Sequence, residues 1–298
     1  MSKKEEDFIE NLNVARDIIS KFAIAEKIIR TSAKGRKYLD ITLTDKTGQI
    51  DGRMFPDDVD VTHDSIKLGT ICRIRGRVSE FPSGSGKYNM VINDINELSE
   101  NDYNINDFVM ASESNQEDLV EEISKTISGM KNTELKDLLR SFFCDKKFAE
   151  QFYKAPAAIV HHHNYLGGLI DHTVGVLRIC KTSCKIFPDL DKDLLYTGVL
   201  LHDIGKMKTY TYGTGPIGIS EIGKLLDHLY LSCEMVKDKM AELETQEELS
   251  NQILHMILSH HGEVSNGWGS TVNPKTPEAM ALHYADNMDA KVKEALQR

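Results

Sequence analysis

The sequence predicts a multidomain protein, an all-β barrel followed by an all-α helical bundle. Between residues 14 and 98 apolar residues alternate with period two, and from Asn115 onward they recur every three or four positions. Turn-forming residues punctuate the first stretch at short intervals, the pattern of a small barrel. At 298 residues the chain is long enough for two cores.

Residues 1–13 read as a charged lead-in, mobile or a frayed helix. An early strand is expected around Phe22 to Arg30. Leu39, Ile41 and Leu43 alternate with Tyr38, Asp40, Thr42 and Thr44, which marks a strand with one buried face. Asp45-Lys46-Thr47-Gly48 supplies a turn, and Ile50 to Phe55 returns as its hairpin partner, stopped by Pro56. Ile71 to Val78 and Tyr88 to Ile95 complete five strands, with Pro82-Ser83-Gly84-Ser85-Gly86 between them. The barrel domain is therefore placed at 14–98, and the Asn-, Ser- and Asp-rich stretch 99–114 is read as a linker. Leu119, Ile123, Ile127 and Met130 open the helical half. Connecting helices are expected over 115–154 and the second domain over 155–298. Further helices are expected near 132–153, 165–187, 192–206, 222–243, 246–261 and 276–296.

The charge is divided unequally. Net charge is −10, yet Ala15–Glu100 carries 14 Lys+Arg against 13 Asp+Glu, and the remainder 22 against 33. Local patches, not the total, decide phosphate contact. No apolar run approaches the ~20 residues needed to span a bilayer, and Met1-Ser2-Lys3-Lys4-Glu5-Glu6-Asp7 lacks the apolar core of a secretory signal. A cytoplasmic protein without membrane partners is expected. Cys72, Cys144, Cys180, Cys184 and Cys233 form no disulfide framework. Cys180 and Cys184, one helical turn apart, read as small buried side chains in preference to a shared metal site.

Arg73, Arg75 and Arg77 fall on one face of their strand, while Cys72, Ile74 and Val78 face the core. Arg53 and Phe55 share a face on the preceding strand. Tyr38, Phe81 and Tyr88 lie near Lys34, Arg36, Lys37 and Lys87. Cations interleaved with aromatics suit single-stranded nucleic acid, since phosphates pair with the charges and bases stack on the rings. A solvated outer face, with Asp40 and Asp51 pairing the arginines, is the plainer alternative. The run Tyr38 to Ile50 makes Gly35 to Leu98 resemble an OB-fold.

Ten of the eleven histidines follow position 160. Leu200-Leu201-His202-Asp203-Ile204-Gly205-Lys206 ends an apolar helix. His172 lies 30 residues earlier, His228 in a later helix, His260-His261-Gly262 closes another, and Asp286 sits in the last. Imidazole and carboxylate are ligands for divalent transition metals, and packing such helices assembles a site. A lone buried histidine is more often a hydrogen-bonded core residue. On a continuous helix His260 and His261 would point ~100° apart, leaving one at the surface. His161, His162 and His163 are candidates for substrate phosphate, with Asn164 as an alternative helix cap. His283 is a candidate support for a ligand or a core residue, and His255 reads as structural. The glycines from Gly213 to Gly223 fit a loop over the site or a plain connector.

The ordered set resembles the two-metal members of the HD-domain metal-dependent phosphohydrolases, over about residues 155–295. That resemblance implies that His172, His202, Asp203 and Asp286 hold one metal. Asp203 bridges to a second metal held by His228, His260 and His261. The catalytic candidates are Asp203 and Lys206, the latter placed to steady a phosphate oxygen.

The barrel and this domain together resemble the YhaM family of 3′→5′ exoribonucleases. The likeness is carried by His161 to Leu169, His202 to Lys206, Gly223-Lys224-Leu225-Leu226, Ile257 to Gly262 and Leu282 to Asp286. It implies two divalent ions (Mn2+ expected, Fe2+ or Co2+ as alternatives), single-stranded RNA and also single-stranded DNA as substrate, nucleoside monophosphate products and a homo-oligomer. Two departures stand out. Asp227 precedes His228 where glycine is expected, and Asn266 to Thr271 differs from the family pattern. Competing readings are a cyclic-dinucleotide phosphodiesterase, whose additional Gly-Tyr-Pro signature is missing here, a nucleotide phosphohydrolase, and a non-catalytic DNA- or RNA-binding regulator.

Overall fold

The computed structural model describes residues 2–32, 34–80, 84–109, 114–158, 165–212, 217–267 and 269–296. Phe81, Pro82, His161, His162, His163, Asn164, the stretch 213–216 and Trp268 lie outside the described residues. The chain divides into two compact units, Met1–Met110 with Tyr212–Gly218, and Ala111–Thr211 with Ile219–Arg298.

In the first unit five strands close a barrel: β1 (Asp17–Thr31), β2 (Lys37–Asp45), β3 (Gly48–Met54), β4 (Ile71–Glu80) and β5 (Tyr88–Glu97), in the order β1-β2-β3-β5-β4. This agrees with the OB-fold expected from the sequence. β1 starts earlier than the sequence pattern indicated. Its first half pairs with β4 and its second with β2, and the register shifts between Ile24 and Glu26. That irregularity bends one long strand around the barrel. β3 and β5 pair in parallel and close the sheet. Phe22, Ile24, Leu39, Leu43, Ile74 and Met90 fill the interior. At the tight closure the inward positions are glycines. A Cβ on Gly76 would stand 2.6 Å from the Val91 carbonyl oxygen, and one on Gly52 2.6 Å from Ile92 Cδ1.

A short helix, α1 (Val59–Ser65), links β3 to β4, capped by the Asp58 carboxylate accepting from Val61 N. The sequence pattern did not show it, because only Val59 of its residues is buried.

The lead-in expected to be mobile is instead packed. Phe8 and Leu12 are buried, the Lys3 amide donates to Asp107 Oδ2 at 2.6 Å, and the Lys3 ammonium pairs with Asp45 over the Phe22 ring. Asp45 also accepts from Ile9 N at 2.9 Å. Two apolar residues and two buried carboxylates tie the segment down. Part of the stretch read as a linker also belongs to this unit. Phe108 and Val109 are buried, and the Asp107 carbonyl accepts from Lys46 N.

The second unit is helical: α2 (Gln116–Ser128), α3 (Thr133–Phe143), α4 (Lys146–Lys154), α5 (Gly168–Ile186), α6 (Lys192–Leu201), α7 (Lys206–Thr209), α8 (Glu221–Glu242), α9 (Glu247–Ser259) and α10 (Pro277–Leu296). Asn115, Asn132, Asp145, Asp191 and Ser220 each cap a helix by accepting a first-turn backbone N–H. The Asp145 cap divides the helix expected over 132–153 into α3 and α4. The helix expected over 192–206 ends at Leu201, and residues 202–205 form a turn. α5 runs through the core, with Leu169, Val174, Val176, Leu177 and Cys180 buried around a fully buried His172. No described helix is long and apolar enough to cross a membrane.

Candidate metal centre and strand-binding surface

Five helices deliver the histidines and aspartates to one place. His172 comes from α5, His202 and Asp203 from the turn after α6, His228 from α8, His260 and His261 from the end of α9, and Asp286 from α10. His260 is the C-cap of α9 and keeps helical φ/ψ. The His260 and His261 rings still bring nitrogens within 4.8 Å of each other and of His228, so both reach the centre and neither is left at the surface.

Glycines allow the close approach. A Cβ on Gly205 would lie 2.3 Å from the His228 carbonyl oxygen, and Gly205 N donates to Ser232 Oγ at 2.8 Å. Gly262, at φ +93, leaves room for the His283 ring, whose Nδ1 donates to the His260 carbonyl at 2.8 Å. His283 thus braces the ligand-bearing turn. His255 accepts from Lys275 N and is structural.

The ring orientations follow from the acceptors. His202 Nδ1 faces the Val199 carbonyl and His260 Nδ1 the Ile257 carbonyl, both at 2.7 Å. A carbonyl only accepts, so each Nδ1 carries the proton and each Nε2 presents a lone pair. Carboxylates do the same elsewhere: Asp289 Oδ2 accepts from His172 Nδ1 at 2.7 Å, and Asp227 Oδ1 from His228 Nδ1 at 2.5 Å. Four imidazole Nε2 atoms converge on the buried Asp203. Its Oδ2 lies 3.3 Å from His202 and 3.6 Å from His172, and its Oδ1 3.5 Å from His228 and 3.6 Å from His260.

His172 and His202 approach to 3.4 Å between Nε2 atoms. Two lone pairs at that distance need a cation between them, a proton or a metal. Asp203 Oδ1, Asp203 Oδ2 and His260 Nε2 are buried with no hydrogen-bond donor. Lys206 Nζ forms an ion pair with Asp203 Oδ2 at 2.6 Å. His172, His202 and Asp203 form one cluster whose ligand atoms lie within 4.8 Å of one another, and His228, His260 and His261 form a second. Mixed imidazole and carboxylate donors with unsatisfied atoms fit divalent transition ions. Cys180 and Cys184 belong to neither cluster.

Electrostatics follow from this crowding. Burial opposes ionisation of Asp203, but Lys206 and His202 hold its carboxyl well below the usual range. Burial likewise opposes ionisation of Asp286, and the hydrogen bond from His172 Nε2, 3.0 Å away, outweighs it. Burial works to lower His172, yet Asp286 and Asp289 raise it to about 9. Burial and neighbouring imidazoles push His260 and His261 down. The hydrogen bond from His228 lowers Asp227 to about 2. A cleft of 390 Å3 opens beside the centre, lined by Lys206, Tyr210, His228, His261, Asp286 and Lys291 among others.

On the barrel, Arg73, Arg75 and Arg77 are exposed on β4 while Ile74 and Val78 are buried. Arg77 pairs with Asp17 at 3.4 Å, and Asp40 pairs with Arg30, not with the β4 row. Tyr38 and Phe55 pack at 5.3 Å, with Arg53 over Tyr38 and Arg36 over Phe55. Lys37 pairs with Asp60, and Tyr88 is exposed. The pairing sets Arg53, Val91 and Arg77 side by side across three strands, which links the β3 and β4 groups.

Residues 24–98 match the OB-fold nucleic acid binding domain family and residues 169–291 the HD domain family. A 3′-5′ exoribonuclease YhaM of a Geobacillus species is 33% identical, over 88% of this chain and 78% of its own. The protein of that name from Bacillus velezensis is 31% identical, over 94% and 86%. That from Listeria welshimeri is 32% identical, over 90% and 83%. The chain belongs to the YhaM family.

Within this YhaM-family chain one supporting residue escaped sequence reasoning. Asp289 lies one turn beyond Asp286, and that i, i+3 spacing was the available signal. Gly175 makes room for it, since a Cβ there would stand 2.2 Å from Asp289 Oδ1. Asp227, a departure from the family pattern, supports His228. His161, His162 and His163 lie outside the described residues, as does Trp268 in the other departing segment.

Proposed function

We propose that this protein is a metal-dependent exoribonuclease that removes nucleoside 5′-monophosphates from the 3′ end of single-stranded RNA, and accepts single-stranded DNA. The observation that carries the reading is the convergence of four imidazole Nε2 atoms on the buried Asp203 carboxylate. Membership of the YhaM family supplies the substrate class and polarity.

His172, His202, Asp203 and Asp286 would hold one divalent ion, and His228, His260 and His261 the other, with Asp203 shared. Mn2+ is the metal we propose. When bound, such a pair lowers the pKa of a water and offsets charge on the scissile phosphate. Asp289, Val199, Asp227 and Ile257 keep the Nδ1 protons of His172, His202, His228 and His260 away from the centre, so none of these four needs to change tautomer. Lys206 brings a positive charge to the cleft for a phosphate oxygen. On the barrel, Tyr38, Phe55 and Tyr88 stack bases, while Lys37, Arg53, Arg73, Arg75 and Arg77 pair with phosphates. Met280, Tyr284, Met288 and Val292, exposed at four-residue spacing along α10, support a homo-oligomer. We place the protein in the cytoplasm, where RNA substrate is available.

The test uses 5′-labelled single-stranded RNA with Mn2+, one sample with a free 3′ end and one blocked. A shortening ladder from the free end alone is expected, and Asp203→Ala should lose it while retaining strand binding. Internal cleavage of the blocked RNA, or an active Asp203→Ala variant, would refute the reading.

A further inference from the structure

We propose that Asp227 is a positioning residue for the second ligand cluster. It holds His228 as the Nδ1–H tautomer and aims its Nε2 at His261 and Asp203, at the cost of a strained backbone. The inference rests on the reading of His228, His260 and His261 as divalent-metal ligands.

The backbone carries the first half of the case. Asp227 has φ 58 and ψ 163 at a kink that joins two helical segments of α8. That region of backbone space is essentially restricted to glycine. A side chain held there against strain needs a compensating interaction. Apolar burial does not provide it, because the Asp227 side chain is 61% exposed.

The hydrogen bonds carry the second half. Asp227 Oδ1 accepts both the backbone N–H and the Nδ1–H of His228. An ordinary N-cap has β-region φ/ψ and accepts from the second or third residue of the helix. Asp227 does neither. Its carboxylate is spent on the ring of the next residue, and that ring places Nε2 3.3 Å from His261 Nε2 and 3.5 Å from Asp203 Oδ1. A positive φ turns the chain so that side chain 227 folds back over ring 228.

This geometry separates stability from metal binding. Glycine at 227 relieves the strain and removes the acceptor together. Asparagine keeps an acceptor oxygen and the strain. Asp227→Gly should therefore melt no lower than the parent protein, yet bind the second Mn2+ about 10–100-fold more weakly. The first site should be unchanged. Asp227→Asn should recover most of that affinity without the gain in melting temperature.

The experiment is a two-site Mn2+ titration by calorimetry on the full chain and both variants. It is joined by 15N chemical shifts of the His228 ring in the metal-free proteins. The parent should show His228 protonated at Nδ1, and Asp227→Gly a mixture of tautomers. Parent-like Mn2+ affinity in Asp227→Gly, with the His228 tautomer unchanged, would overturn the proposal. A parent protein that takes up no divalent ion overturns the metal reading itself, and the tautomer measurement then still decides whether Asp227 positions the ring.

Discussion

Replacing Gly175 with alanine should damage the metal centre without touching a ligand. Gly175 sits on α5 one turn after His172, and an added Cβ would stand 2.2 Å from Asp289 Oδ1, where real Cβ atoms keep at least 3.0 Å. Asp289 must retreat by about 0.8 Å. The bond to His172 Nδ1 is made by the other oxygen, Oδ2, at 2.7 Å, and a carboxylate that withdraws as a whole stretches it to at most about 3.5 Å, the outer limit of a hydrogen bond. A charge-assisted bond of this kind contributes ~1.5–3 kcal/mol, and loss of the group that orients a metal-bound histidine costs roughly 10–100-fold in affinity. Gly175→Ala should therefore weaken the first Mn2+ site by about that factor, measured by calorimetry. The decisive comparison is a double-mutant cycle with Asp289→Ala. Alanine at 289 has no carboxylate to be struck, so adding Gly175→Ala should cost little more. Parent-like Mn2+ affinity in Gly175→Ala, or losses that simply multiply in the double variant, would show that Gly175 acts through bulk packing and not through Asp289.

Three further outcomes are expected. In an Asp203→Ala background, Tyr38→Ala and Phe55→Ala should each weaken single-stranded RNA binding by ~1–3 kcal/mol, read by fluorescence anisotropy. Arg75→Ala should weaken binding and lower the salt slope by about 0.7, and an unaltered slope would remove Arg75 from the path of the strand. The metal-free protein should be most stable between its histidine limits. His172 is raised to about 9, so its contribution is complete below the ordinary value of 6.5 and is lost as pH rises through about 9. His260 and His261 are lowered, so they penalise the fold as pH falls below 6.5. Below the carboxylate range the contributions of Asp203 and Asp286 are lost as well. A melting temperature that is flat from pH 5 to about 10 would contradict these assignments.

The sequence alone determined a good deal of this protein. Period-two alternation at Leu39, Ile41 and Leu43 declared a strand with one buried face, and three of three are buried. The barrel and the helical half were legible because burial periodicity is written locally. The candidate ligand residues were legible because histidine and aspartate are unusual at the ends of apolar helices, and their order along the chain carries the family likeness. What the sequence left open depends on where elements stop and what meets them. His260 and His261 both reach one centre with His228, which only the packing of α8 against the end of α9 brings about. Lys3 reaches across the fold to Asp45 and Asp107, which turns an apparent tail into part of the barrel. Asp289 meets His172 from 117 residues away, and only the packing of α10 on α5 makes that a hydrogen bond. Side-chain direction at a helix end and contact between distant segments are properties of the folded chain. No local pattern encodes them, so the tertiary structure alone decided how the ligands are aimed.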